Sequence, residues 1–86
     1  MKGTEKQIKW AQDIMRGAFA ALADMEQAAQ DTTVNYQAED VKAIRGELET
    51  LFADPRVTAS MIIDIRGRVS RQQLEAQAIN RRNARQ

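Results

Sequence analysis

The stretch that decides the fold is Thr4 to Ala29, TEKQIKWAQDIMRGAFAALADMEQAA. Its apolar residues Ile8, Ala11, Met15, Ala18, Leu22, Met25 and Ala29 recur at alternating spacings of three and four. That is the period of one face of an amphipathic helix, sustained for about three heptads. Trp10, Ile14 and Phe19 widen the stripe. Thr4 is a good N-cap, able to bond the amide of Lys6 or Gln7, and Gln7 stands where a capping box wants it. A first helix is therefore expected over about 4–30, with Trp10 anchored in the core against the last helix. It ends where Asp31-Thr32-Thr33 changes the chemistry.

Working outward, 31–37 reads as a loop. A second helix is expected over about 38–53, with Val41, Ile44, Leu48, Leu51 and Phe52 on one face and Glu39, Lys42, Glu49 and Thr50 in water. Asp54-Pro55 stops it, because proline disfavours helix in the residue before it. A third helical region is expected over about 56–84, capped by Asp54 or Thr58. Met61, Ile62, Ile65, Val69, Ala76 and Ile79 form its main stripe. A continuous helix is the favoured reading. Ser70 and Gln73 have capping-box spacing, so a kink or a fourth helix can start there. The last four residues, Asn83 to Gln86, are expected to fray. The expected architecture is all-α, a three-helix bundle in a single domain over 1–86.

Two helices of about 37–39 Å and one of about 24 Å, at ~1.5 Å per residue, cannot cover one another fully. A dimer, a partner or a bend in the last helix would close the gap. Each helix also carries an interior glycine, Gly17, Gly46 and Gly67. Each costs up to ~1 kcal/mol against alanine, so a close helix contact or a partner backbone is expected beside them.

The charge is sorted along the chain. Residues 1–54 carry six basic and ten acidic side chains, net −4, and residues 55–86 carry seven basic and two acidic, net +5. Such asymmetry bears on partners, not on fold. On a continuous last helix, Ile63, Leu74 and Ala78 face away from the main stripe, with Gly67 among them and Arg71, Arg81 and Arg85 alongside. Apolar groups flanked by arginine resemble interface surfaces. These seven residues are the expected partner-binding face. The alternative is phosphate binding by Arg66, Arg68, Arg71, Arg81 and Arg82. No aromatic platform accompanies these arginines, which suits single-strand readers poorly.

Catalysis is not expected. The chain has neither histidine nor cysteine, which removes the usual general base, thiol nucleophile and zinc ligands. The carboxylates Glu39, Asp40, Glu47 and Asp64 lack the Glu-x-x-His partner of a di-iron bundle. Acids over 1–54 are too interleaved with bases to imitate a nucleic-acid backbone. No cofactor or metal is expected. No apolar run approaches ~18 residues, and MKGTEKQ lacks the apolar core of a signal peptide, so a cytoplasmic protein is expected.

Thr4-Glu5-Lys6-Gln7-Ile8-Lys9-Trp10-Ala11-Gln12-Asp13-Ile14 resembles the opening of many small uncharacterised proteins of bacteria, phages and mobile elements. Ala59-Ser60-Met61-Ile62-Ile63-Asp64-Ile65-Arg66 resembles a later segment of theirs that is often richer in tryptophan; Met61 and Ile62 stand here where aromatics would be expected. The two segments cover about a fifth of the chain, and the group supplies no activity or site residue to carry over. The resemblance implies a phage or mobile-element origin. On that origin, the expected role is non-catalytic binding to another protein, one concrete form being an inhibitor of a host defence complex of the anti-CRISPR kind. Binding to nucleic acid, as a small regulatory protein, is the rival, and a homodimeric bundle is a third outcome.

Overall fold

The computed structural model describes residues 1–31 and 33–85; Thr32 of the expected loop and Gln86 of the expected frayed end lie outside them. The described residues are all-α: α1 (Glu5–Asp31), α2 (Ala38–Ala53), α3 (Ala59–Asp64), a 3-10 segment (Arg66–Val69) and α4 (Arg71–Arg85). The molecule measures 42 × 21 × 17 Å. At ~1.5 Å per residue, the 27 residues of α1 account for the long axis by themselves.

Local chemistry sets the helix ends. Thr4 Oγ1 accepts from the Gln7 amide at 3.1 Å while Gln7 Oε1 accepts from the Thr4 amide at 3.0 Å, a reciprocal capping box. At α2 the Asp40 carboxylate accepts from the Gln37 amide at 2.8 Å. After Asp54-Pro55 the Val57 amide returns to the Asp54 carbonyl at 3.1 Å, closing a turn with proline at its second position. Thr58 then caps α3, its hydroxyl accepting from the Met61 amide at 3.3 Å.

The expected continuous helix over 56–84 is not formed. Ile65 leaves helical geometry at φ −96°, ψ 8°, and Ser70 is extended at φ −67°, ψ 156°. The Leu74 amide donates to the Ser70 carbonyl at 2.9 Å and the Gln73 amide to Ser70 Oγ at 3.4 Å, so Ser70 starts a new helix. A serine that can cap offers the backbone an alternative to continuing the old helix. The break solves the coverage problem inside the chain. α3 packs on the N-terminal part of α1, and α4 lies across α1 and α2.

The core follows that division. The larger cluster joins Ala18, Leu22 and Met25 of α1, Val41, Ile44 and Leu48 of α2, and Val69, Leu74 and Ala78. Tyr36 of the loop is buried in it, a core residue the loop reading left out. The smaller cluster joins Ala11, Ala59 and Ile62, with Ile8, Met15 and Val57 against it. Ile14 and Phe52 pack on both clusters, and Phe52 meets Phe19 edge to face at 5.7 Å between ring centres.

Leu51, Met61 and Ala76, expected on core stripes, are exposed. A continuous helix would set Leu74 about 120° around from Ile62, at ~100° per residue. The break rephases α4, so Leu74 and Ala78 turn inward and Ala76 turns out. No neighbour comes within 4 Å of a Cβ built at Gly17, Gly46 or Gly67, so no close helix contact explains them. The close approach is at Gly3 instead. It sits at φ +153°, and a Cβ there would lie 2.9 Å from the Ala59 Cβ. That packing lets the Lys2 carbonyl accept from the Ala59 amide at 2.8 Å, tying the N-terminal residues to α3. Asn83 to Arg85 remain helical rather than frayed.

Candidate docking surface

The expected partner face on the last helix does not exist as a surface. Leu74 and Ala78 are both 0% exposed and belong to the main core. Ile63 is half-buried on α3, and Gly67 is exposed in the 3-10 segment. They share no face with Leu74, because the break at Ser70 separates the two registers.

Its arginines are engaged within the chain. Arg71 pairs with Asp24 of α1, and its Nε donates to Glu75 at 2.8 Å. Glu75 first and Asp24 second hold the Arg71 guanidinium above its usual range. Arg81 pairs with Glu47 of α2. Arg85 grips Asp40 with two bonds, Nε–Oδ1 at 3.0 Å and Nη2–Oδ2 at 2.8 Å, and reaches Glu39 at 2.6 Å and Gln37 at 3.3 Å. Asp40 is only 1% exposed. Burial pushes its carboxyl up, but the bonds from Arg85 and from the Gln37 amide outweigh burial and hold it below the usual value of 3.8. The two oppositely charged halves thus meet each other, and the sorted charge fastens α4 to α1 and α2. The exposed pairs Arg71–Asp24 and Arg81–Glu47 are weak singly; with Arg85 on the buried Asp40, their geometry specifies where α4 lies.

The phosphate-binding set is divided in the same way. Arg71 and Arg81 are paired, and Arg82 is half-buried with a buried Nε that meets no acceptor. Only Arg66 and Arg68 remain exposed and without a carboxylate within 4 Å among the described residues.

Arg66 leads to the surface that the sequence reading missed. Its guanidinium lies over the ring of Trp10, 5.4 Å from the ring centre, while its Nη1 donates to the Ile63 carbonyl at 2.7 Å. Trp10 is 49% exposed, not the core anchor expected of it. The signal was present. At ~100° per residue Trp10 points roughly 110° away from the mean direction of the α1 stripe. Thr4, Lys6, Gln7 and Trp10 line a shallow, mostly apolar concavity beside the ring. Lys6 precedes Trp10 by four residues and shares its side of α1. Lys2, Lys6 and Lys9 have no carboxylate within 4 Å among the described residues.

The remaining exposed large apolar side chains are Met1, Met61 and Leu51. Met1 adjoins Lys2, whose carbonyl is bonded to α3, and Met61 lies on α3 itself. Leu51 precedes Phe52, which packs on the α1–α3 cluster. Met1 and Met61 thus belong to segments tied to the N-terminal part of α1 that carries Trp10, whereas Leu51 lies on α2. Among the described residues, no group of three Asp, Glu, His or Cys side chains comes together to hold a metal ion. No helix among the described residues is long and apolar enough to cross a membrane.

What fold and surface define is a small all-α domain with one exposed tryptophan in a basic setting. Comparison with protein-family models, with curated proteins and with solved structures finds no match.

Proposed function

We propose that this chain is a non-catalytic module that binds another protein through the surface around Trp10. The observation that carries the reading is the half-exposed Trp10, set in an apolar concavity and bordered by Arg66 and Lys6. Tryptophan and arginine are the side chains most enriched among residues that dominate interface energy. Exposing half a tryptophan forgoes burial that would favour folding, and a partner that covers it recovers that free energy. The implied mobile-element origin makes an inhibitor of a host defence complex one concrete form of the role.

Nucleic-acid binding is less well supported. Two arginines of the proposed phosphate set already face carboxylates, and Trp10 has no second exposed ring beside it on which successive bases could stack. The test is retention of protein from host lysate on the immobilised chain at about 150 mM salt, with and without nuclease. A retained protein that resists nuclease and is lost from Trp10→Ala supports the reading. Equal retention by Trp10→Ala removes this surface, and release by nuclease moves the role to nucleic acid.

A further inference from the structure

The internal ion pairs determine where the unbalanced charge lies. Along the sequence the positive excess belongs to residues 55–86. In the folded chain Arg71, Arg81 and Arg85 are each answered by a carboxylate of α1 or α2. At ~0.15 M salt, fields decay over about 8 Å, so these paired charges cancel before they reach a partner. Among the described residues Lys2, Lys6, Lys9 and Arg66, like Arg68 and Arg82, have no carboxylate within 4 Å, and the first four attach to the α1–α3 end that carries Trp10. Glu5, Asp13 and Asp64 are the acids near that end; Asp13 pairs with Arg16, and among the described residues none of the three pairs with the four cations. Unanswered positive charge thus gathers at the α1–α3 end, where three lysines of the acidic half join Arg66, and is not confined to the arginine-rich tail.

At the start of α1 the Thr4 and Gln7 amides are each taken by the other's side chain. The side-chain cations Lys6 and Arg66 beside Trp10 are the groups offered to an anion. The ring itself favours a side chain over a base. Arg66 already occupies one face of Trp10, and the concavity beside it is lined by Thr4, Lys6 and Gln7, with no second ring for a stacked run.

We infer that the partner docks through an acidic segment of protein, with one apolar side chain seated beside Trp10 and carboxylates on either side reaching Lys6 and Arg66. This rests on the protein-binding reading above and names the chemistry of the same surface. Complementary charge would speed encounter and select against basic partners, while the buried apolar contact would slow release.

Trp10 is the only tryptophan, so its emission reports occupancy of this surface directly. The probe is a twelve-residue peptide of Asp, Glu, Gly and Ser with one central Leu, titrated into the full chain at about 100 mM salt. The expected result is a blue shift of Trp10 emission with a Kd below about 1 mM. Replacing the Leu by Ser, or every acid by its amide, should weaken binding at least about fivefold, as should Lys6→Glu or Arg66→Glu. Equal binding of the Leu-free peptide would leave bulk charge alone, and equal binding of the amide peptide would leave apolar contact alone; either overturns the inference. So does tighter binding of a twelve-nucleotide oligothymidylate or of anionic phospholipid vesicles, or no shift with any peptide. The lysate experiment separates this failure from that of the parent reading. Trp10-dependent retention that the acidic peptide does not displace keeps the binding module and removes the acidic segment. Absence of Trp10-dependent retention removes both.

Discussion

Leu74→Ala should unfold this protein far more readily than its sequence position suggests. Leu74 is 0% exposed in the larger cluster, among the side chains of α1 and α2. Truncating a buried leucine removes its transfer free energy and leaves a cavity, costing about 2–5 kcal/mol. A chain of 86 residues has a total stability on the order of 4–13 kcal/mol. A loss of ~3 kcal/mol is therefore a large share of it, equivalent to a fall in Tm of roughly 12–24 °C. Circular dichroism at 222 nm through thermal and urea melts is the assay, because the half-exposed Trp10 is a poor reporter of core disruption. Ala76→Gln is the paired control. A continuous helix would bury position 76 and expose position 74; the broken helix does the reverse. Ala76→Gln should change stability by no more than about 0.5 kcal/mol. A Leu74→Ala loss below about 1 kcal/mol, or an Ala76→Gln loss above about 2, would refute the rephased α4 and restore the continuous helix.

Gly17→Ala and Gly46→Ala should each stabilise the fold by about 0.5–1 kcal/mol in urea melts, since both sit inside helices with open space where the methyl goes. Gly3→Ala should destabilise it, because Ala59 occupies the space and φ is positive; the melt should fall, and amide exchange at Ala59 should quicken as its bond to Lys2 loosens. Asp40 makes the protein acid-sensitive. Its carboxyl titrates lower in the fold than in the unfolded chain, so its contribution is complete above the unfolded value near 3.8 and disappears as pH falls through the folded one. Wild type should lose stability below about pH 4 more steeply than Asp40→Asn, read from urea midpoints across that window.

The part of the fold legible in the sequence is the part governed by neighbours within four residues. Thr4 with Gln7, Thr58 before α3, Asp54-Pro55 after α2 and the spacing of Ser70 and Gln73 all mark real boundaries. The seven-residue rhythm of α1 also names its buried face, since Ala11, Ala18, Leu22 and Met25 are its fully buried side chains. The candidate surface was legible only in hindsight. Trp10 lies off the stripe, but a large apolar residue at a stripe's edge reads as core until its neighbour is known.

The sequence by itself determined an all-α chain, its helix starts and stops, and the face that α1 buries. These depend on caps and periodicity, whose range is one or two turns. Only the tertiary structure decided which face of α4 is core, which charges cancel and which remain. A break of a few residues resets helical phase, and an ion pair such as Arg85 with Asp40 joins positions 45 apart along the chain. Charge that looks like an invitation to a partner in one dimension is consumed within the fold in three. Of what is left over, Lys6 and Arg66 border Trp10.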